Sequence, residues 1–275
     1  TEQGYYRWVK RKRMRTQRAK RKRNLLVKIR RVFYRHRRRY GSPRVYQELR
    51  KSGVLVSENR VVWLMQEDGL RAKGARKFKV TTDSWRSKRI ASNVLQRRFN
   101  PRGPNCVWCG DITYILTEEG WMYLAVFIDL YSRKVVGWAT SRYLTTELVL
   151  RAFRQALLIR NPSRGLIVHT DRGSQYSSDE FIRLAEDSDL TLSMSRKGNC
   201  WDNAVVESFF ASLKRELIKG ERFATRWMLD REVSYYIDVY YNTERMHSTL
   251  DYMSPLEYES KNPVRSGEDA EGCEL

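Results

Sequence analysis

Residues 107–140 read VWCGDITYILTEEGWMYLAVFIDLYSRKVVGWAT, and this stretch decides the fold. Residues 107–116 read as a strand, interrupted by Gly110 and Asp111. Glu118-Glu119-Gly120 is a turn, and residues 121–130 are a second strand. Ser132-Arg133 turns the chain into a third strand at 134–140. Three β-rich runs joined by short turns predict an antiparallel meander. Asp111 stands inside the first apolar run. A buried acid costs stability unless it is paired or bound to a cation.

Downstream, Thr145 or Thr146 opens a helix to about 159, with Leu148, Val149, Ala152, Phe153 and Ala156 at helical spacing. Residues 166–169 form a short buried strand, Ser178 caps a helix to about 187, and 190–194 form a fifth strand. Residues 203–219 and 226–241 read as helices. The order predicts an α/β fold: a ribonuclease-H-like mixed five-stranded sheet with flanking helices.

Upstream, residues 24–39 carry Leu25, Leu26, Ile29, Val32 and Phe33 at helical spacing. Gly41 and Pro43 break the pattern, with Ser42 as N-cap. A short helix at 43–52 ends before Gly53, and Ser57 caps a third at 58–68 that ends at Gly69. Helix, turn, helix after a leading helix predicts a small all-α helix-turn-helix domain, with Arg60 as a candidate DNA contact. The layout is then a basic N-terminal arm at 1–23, extended or loosely helical, and a helix-turn-helix domain at 24–69. A basic connector spans 70–105, along a phosphate backbone or in solvent, and the ribonuclease-H-like domain spans 106–220. A helical extension covers 221–260, and a polar tail 261–275.

The charge agrees with that division. Of 275 residues, 53 are Lys or Arg and 32 are Asp or Glu, a formal +21. Residues 1–40 hold 18 of those bases against Glu2 alone, and 111–275 hold 20 bases against 26 acids. A basic front calls for a polyanion, and nucleic acid suits it better than a membrane, because residues 7–23 lack an apolar face. At 41% hydrophobic the chain can bury a core, which excludes global disorder. The longest apolar run, 121–128, is far too short to span a bilayer, and no signal-like segment opens the chain. Four scattered Cys point to a reducing, cytoplasmic setting. The chain opens on Thr1, which reads as a fragment, a processed product or a frame-fused segment.

Three acids carry the chemistry. Asp111 lies in the first strand, Asp171 ends the fourth in VHTDRGSQYSS, and Glu207 lies on a helix in WDNAVVESFFASLKREL. In this fold the first and fourth strands are neighbours, and a helix after the fifth can bring Glu207 beside both. Such a trio can hold two divalent cations about 3.5–4 Å apart, for attack at a phosphodiester. Oxygen-only ligands suit Mg2+ or Mn2+. Arg172, Gln175 and Asn203 are candidate DNA contacts, with solvent or site-shaping as the plainer alternatives.

The chain also resembles the DDE transposases of the insertion sequence three family, relatives of retroviral integrases. The likeness runs through GYYRW (4–8), YGSPRVYQELR (40–50), NRVVWLMQEDGL (59–70) and KFKVTTDS (77–84). It continues through GDITYI (110–115), VFIDLYSRKVVGW (126–138), HTDRGSQYSS (169–178), SRKGNCWDNAVVESFFASLKREL (195–217) and YYNTERMHSTLDYMSPLEYE (240–259). Thirty-five residues lie between Asp171 and Glu207, the family's spacing. Lys214 follows Glu207 by two helical turns, so both project from one face.

The resemblance implies that Asp111, Asp171 and Glu207 bind the two ions and that Lys214 contacts transposon-end DNA. It implies 3′-end cleavage of one strand and transesterification into a target, by a copy-out and paste-in route with no covalent protein–DNA intermediate. Implied partners are double-stranded DNA, further copies of the chain on DNA, and a first-reading-frame protein or fusion segment, in the bacterial cytoplasm at the nucleoid. No heptad run of the first-frame kind is present in residues 1–23.

Other polar residues have plainer readings. Cys106 and Cys109 form a lone CxxC, without a second pair for zinc. Asp129 bonds the turn at Ser132 and Arg133. Asp202 is the N-cap of the Glu207 helix. His169 packs near the site. Trp201 packs or shapes the site. Gly173 permits a tight turn. Arg245 and His247 belong to a segment packed on the core. A binding-only regulator would need a broken acid set. Lys214 and the basic front speak against a nuclease without strand transfer.

Overall fold

The computed structural model describes residues 2–74, 91–196 and 200–263, with the side chains of Cys200 and Trp201 outside the description. The chain divides into two units, Thr1–Ala75 and Arg76–Leu275.

In the first unit, α1 (Glu2–Arg35) begins far upstream of the expected position and ends sooner. Apolar periodicity could not reveal residues 2–21, because every one is exposed. Arg and Lys are good helix formers, and Gly4 is the lone Gly or Pro there. The C-terminal part of α1 buries Ile29, Val32 and Phe33. α2 (Ser42–Lys51) contributes Val45 and Leu49 to that small core, and α3 (Glu58–Glu67) contributes Val61, Leu64 and Met65. The N-cap of α2 is Gly41 and not Ser42, which sits with Pro43 in the first turn. Ser57 caps α3 as expected, accepting from Arg60 N at 3.4 Å. Gly53 and Gly69 follow α2 and α3 with φ of 74° and 68°, the left-handed stop that favours glycine.

The second unit carries one five-stranded sheet, in the order β3-β2-β1-β4-β5. β1 (Val107–Thr117), β2 (Gly120–Asp129) and β3 (Val135–Ser141) form the expected antiparallel meander. α4 (Thr146–Arg160) crosses to β4 (Ile167–Thr170), and α5 (Asp179–Asp187) crosses to β5 (Thr191–Met194). β4 runs parallel to β1, pairing Cys109 with His169, and β5 runs parallel to β4. This is the ribonuclease-H-like mixed sheet. Trp108, Phe127, Phe153, Tyr176 and Phe181 are buried together in its core.

The expected helix at 203–219 is three pieces: a 3-10 turn at Cys200–Asn203, α6 (Ala204–Leu213) and a π segment at Lys214–Ile218. The helix at 226–241 likewise divides into α7 (Arg226–Ser234) and a π segment at Tyr235–Tyr241. The first π segment buries Glu216, which meets Arg245 Nη2 at 2.9 Å and accepts from Tyr236 Oη at 3.1 Å. Asn242 bonds both backbone groups of Val135, at 3.0 and 2.9 Å. Tyr240, Tyr241 and Leu250 are buried, so the C-terminal segment is part of the core. α8 (Pro255–Lys261) adds Glu259, which binds Arg160 at 2.8 Å.

Part of the connector is fastened within the second unit, although most of its residues at 92–98 are exposed. Leu95 is fully buried, and the backbone amides of Val94 and Leu95 donate to Ser193 Oγ at 3.0 and 3.3 Å. The basic residues between Arg76 and Arg89 and the tail from 264 lie outside the described residues.

Candidate active site

Asp111 sits within β1, opposite Val126 of β2. Asp171 is the first residue past β4, the strand that pairs with β1. Glu207 lies in the first turn of α6. One oxygen of Asp111 accepts from the Ile112 amide at 2.7 Å, and one oxygen of Asp171 accepts from the Gly173 amide at 2.9 Å.

Asp111 feels the other two acids. Burial pushes the Asp111 carboxyl well above the ordinary carboxylate range, and the charges of Asp171 and then Glu207 push it further. The Ile112 amide and the Lys214 ammonium act in the opposite direction. Burial also raises Asp171, against the Gly173 amide, and raises Glu207. Burial lowers Lys214, against the pull of Asp111. Three acids raised by burial, one of them raised further by the charges of the other two, form a site that a cation would relieve. The donor chemistry, oxygen only, fits a hard divalent ion. Among the described residues, no group of three His, Cys, Asp or Glu has metal-holding spacing as it stands.

Lys214 opens the π segment, with Nζ 5.4 Å from the centre of the Tyr114 ring. The wide turn closes with Lys219 N on Lys214 O at 2.9 Å, five residues apart. Arg172 donates through Nε to Ser195 O at 2.7 Å, and Gln175 is half-buried in the same loop. Arg60 is exposed on α3 of the other unit, its guanidinium 4.5 Å from the centre of the Trp63 ring.

Asn203, expected among the DNA contacts, is buried. Its Nδ2 donates to Gly110 O at 3.1 Å, beside Asp111. That carbonyl can only accept, so the amide is oriented with Oδ1 facing away, and Oδ1 has no partner among the described residues. Asp202 does not cap α6. Its carboxylate is fully buried and bound by nearby Arg196 and by Asn93 and Arg97, which lie more than a hundred residues away in sequence. Asp129 bonds the amides of Asn105 and Tyr131 and pairs with Arg160 at 3.0 Å, whereas the expected bonds were to Ser132 and Arg133. Buried charge selects a full set of donors, and local spacing does not reveal the distant ones.

His169 is buried between Ser193 Oγ at 2.9 Å and Ser195 Oγ at 3.0 Å. Burial pushes it down to about 4, so the ring is neutral and packed near the site. Cys106 and Cys109 form no disulfide, and burial raises the Cys109 thiol.

Tyr176 escaped sequence reasoning. Its hydroxyl is buried without a partner among the described residues. Burial raises it far above its ordinary range, and the charges of Asp111 and Asp171 add to the rise. Its place in the loop after Asp171 was the only sequence signal.

Comparison with known proteins agrees with this architecture. The HTH-like domain family matches residues 20–78, and Integrase core domain families match 101–200 and 207–262. The transposase for insertion sequence element IS904 of Lactococcus lactis is 45% identical over 239 residues, covering 86% of this chain and 94% of that protein. Transposase InsF for insertion sequence IS3A of Escherichia coli is 42% identical over 259 residues, covering 94% and 90%. The HTLV-2 integrase catalytic core domain in complex with magnesium (dimeric form) aligns over 58% of this chain and 99% of that chain, at 18% identity and a TM-score of 0.43. No described helix is long and apolar enough to cross a membrane. The chain belongs to the insertion sequence three family of DNA transposases, enzymes of the DDE polynucleotidyl-transferase type.

Proposed function

We propose that this transposase cleaves the 3′ ends of its element and joins them to target DNA, with Asp111, Asp171 and Glu207 holding two Mg2+ or Mn2+ ions. The observation that supports this most is that Asp111, on a central strand, is raised by the charges of Asp171, at the end of the neighbouring strand, and of Glu207, on a helix. When bound, the ions supply Lewis acidity to the attacking and the leaving oxygen of the phosphodiester.

The chain's own residues do the rest. The Gly173 and Ile112 amides orient Asp171 and Asp111, leaving their remaining oxygens for ligation. Lys214, half-withdrawn from water beside Asp111, offers a charge to a phosphate at the transposon end. Arg172 and Gln175 flank Asp171 on the DNA side. Arg60, on the exposed face of α3, contacts DNA through the helix-turn-helix unit. Asn203 holds the protein together at this point and leaves the set of DNA contacts. The enzyme works on DNA as a multimer, with a first-frame segment as a further partner, at the nucleoid.

A strand-transfer assay tests the reading. A pre-cleaved duplex of the element's own end is mixed with target plasmid and Mg2+ or Mn2+. Joined product that disappears with Asp111→Asn, Asp171→Asn and Glu207→Gln, while DNA binding persists, is the expected result. Wild-type joining by any of the three removes that residue from the site.

A further inference from the structure

The helix that carries Glu207 begins without a capping hydrogen bond. Asn203 is at its N-cap position, but its side chain makes no cap bond. The two side chains that could serve there, Asp202 and Asn203, are both committed to distant parts of the fold. Asp202 accepts from Asn93 Nδ2 and Arg97 Nε, each at 2.9 Å. It also accepts from the Arg196 amide at 3.0 Å and from that guanidinium at 3.2 and 3.3 Å. Asn203 reaches the carbonyl just before Asp111.

The connector is fastened from its other side too. The Val94 and Leu95 amides meet Ser193 Oγ, which also bonds His169, two residues before Asp171. The Met194 amide donates to Ser92 O at 3.4 Å. Residues 92–97 thus touch the strand beside Asp171 and the turn that leads into Glu207. The donors Arg97 and Arg196 are 43% and 57% exposed, while Asp202 has no exposed side-chain surface. The carboxylate is enclosed by side chains that lose little if they return to water. Such an arrangement orients the turn more than it glues the core.

We propose that Asp202 is a positioning residue for Glu207, and that connector residues 92–97 form the other half of a brace holding α6 against the two aspartates. The proposal rests on the reading of Glu207 as a metal ligand. Asp202 does not touch the reacting atoms. It acts by setting where the first turn of α6 lies, and Asn203 ties the same turn to β1. Groups that orient metal ligands in this way typically govern affinity by 10–100-fold.

The test uses the full chain as wild type, Asp202→Asn, Arg97→Gln and Glu207→Gln. Amide exchange of residues 204–213 is measured first, then Mn2+ binding from the free-ion resonance signal without DNA, then strand transfer against Mn2+ concentration. Asp202→Asn is expected to exchange faster throughout α6, to bind Mn2+ about tenfold more weakly, and to recover transfer at high Mn2+. Arg97→Gln shifts all three in the same direction by less. Unchanged exchange in α6 of folded Asp202→Asn overturns the brace, as does an unchanged Mn2+ isotherm when Glu207→Gln has lost binding. If Asp202→Asn does not fold, Arg97→Gln decides by the same readings. Should Glu207→Gln bind and join like wild type, the ligand reading fails instead, and α6 exchange still judges the brace.

Discussion

The Gly173 amide donates to Asp171 Oδ1 at 2.9 Å, and a Cβ on residue 173 would stand 2.9 Å from that same oxygen. The glycine is there for close approach and not for a left-handed turn. Gly173→Ala must push the carboxylate away or twist the loop that orients it. A displacement of this kind is expected to lower strand transfer by roughly 100-fold, since about 1 Å of misplacement can cost that much. The melting temperature should fall by only a few degrees, because the loop is only half-buried. Full activity in Gly173→Ala would show that the Asp171 carboxylate tolerates the shift.

Glu216 and Arg245 form a buried pair, with side chains 1% and 4% exposed. Ser212 Oγ accepts from Arg245 at 3.1 Å, and the Tyr236 hydroxyl donates to Glu216. Arg245→Met leaves the buried Glu216 carboxylate with Arg215 as its cation, a longer and partly exposed contact at 3.3 Å, and should cost up to about 3 kcal/mol in chemical denaturation of the second unit. Replacing both with Met should recover most of that loss, because desolvation of the pair offsets much of its attraction. A single variant that unfolds like wild type would mean the pair is solvated in solution.

These two contacts mark where sequence reading stops. The meander and the crossovers are legible because alternation, helical spacing and caps such as Ser57 and Ser178 are local signals. The acids at 111, 171 and 207 stand out because each is a charge in an apolar setting. Asp202 was misassigned because Asn93 and Arg97, two of the residues that bind it, lie 109 and 105 residues away. The length of α1 was hidden for the reverse reason: a helix with no buried face leaves no apolar period. The π turns arise from burying Glu216, and Tyr240 and Tyr241, against partners that no short window contains.

Acid should weaken the second unit through His169. Its pKa falls from an ordinary 6.5 to about 4 on burial, so the folded state holds the neutral ring. For a base lowered in this way, the stabilising contribution is complete above pH 6.5 and is lost as pH falls through 4. It amounts to about 3 kcal/mol across that window. Asp202 is held below the usual carboxylate range by its arginines and acts only at lower pH. The raised carboxyls of Asp111, Asp171 and Glu207 act in the opposite direction, so the His169 contribution is read as a difference: between pH 7.5 and 4 the denaturation midpoint of the wild type should fall relative to that of His169→Gln. Equal slopes would place the titration on another group.

The exposed half of α1 should lie on DNA. Arg7, Arg11, Arg15 and Arg18 are solvent-facing in this 34-residue helix, and residues 1–40 of the chain hold 18 bases and one acid. Replacing all four with Gln keeps helix propensity nearly constant while removing four charges. Each phosphate contact releases counterions worth about 0.9 in the slope of log affinity against log salt. The variant should bind duplex DNA more weakly at 50 mM salt and show a slope shallower by up to about 3.6. Its sequence preference should stay the same, because phosphate contacts carry no base information. A wild-type slope would place the helix away from the duplex and assign its charge to another partner.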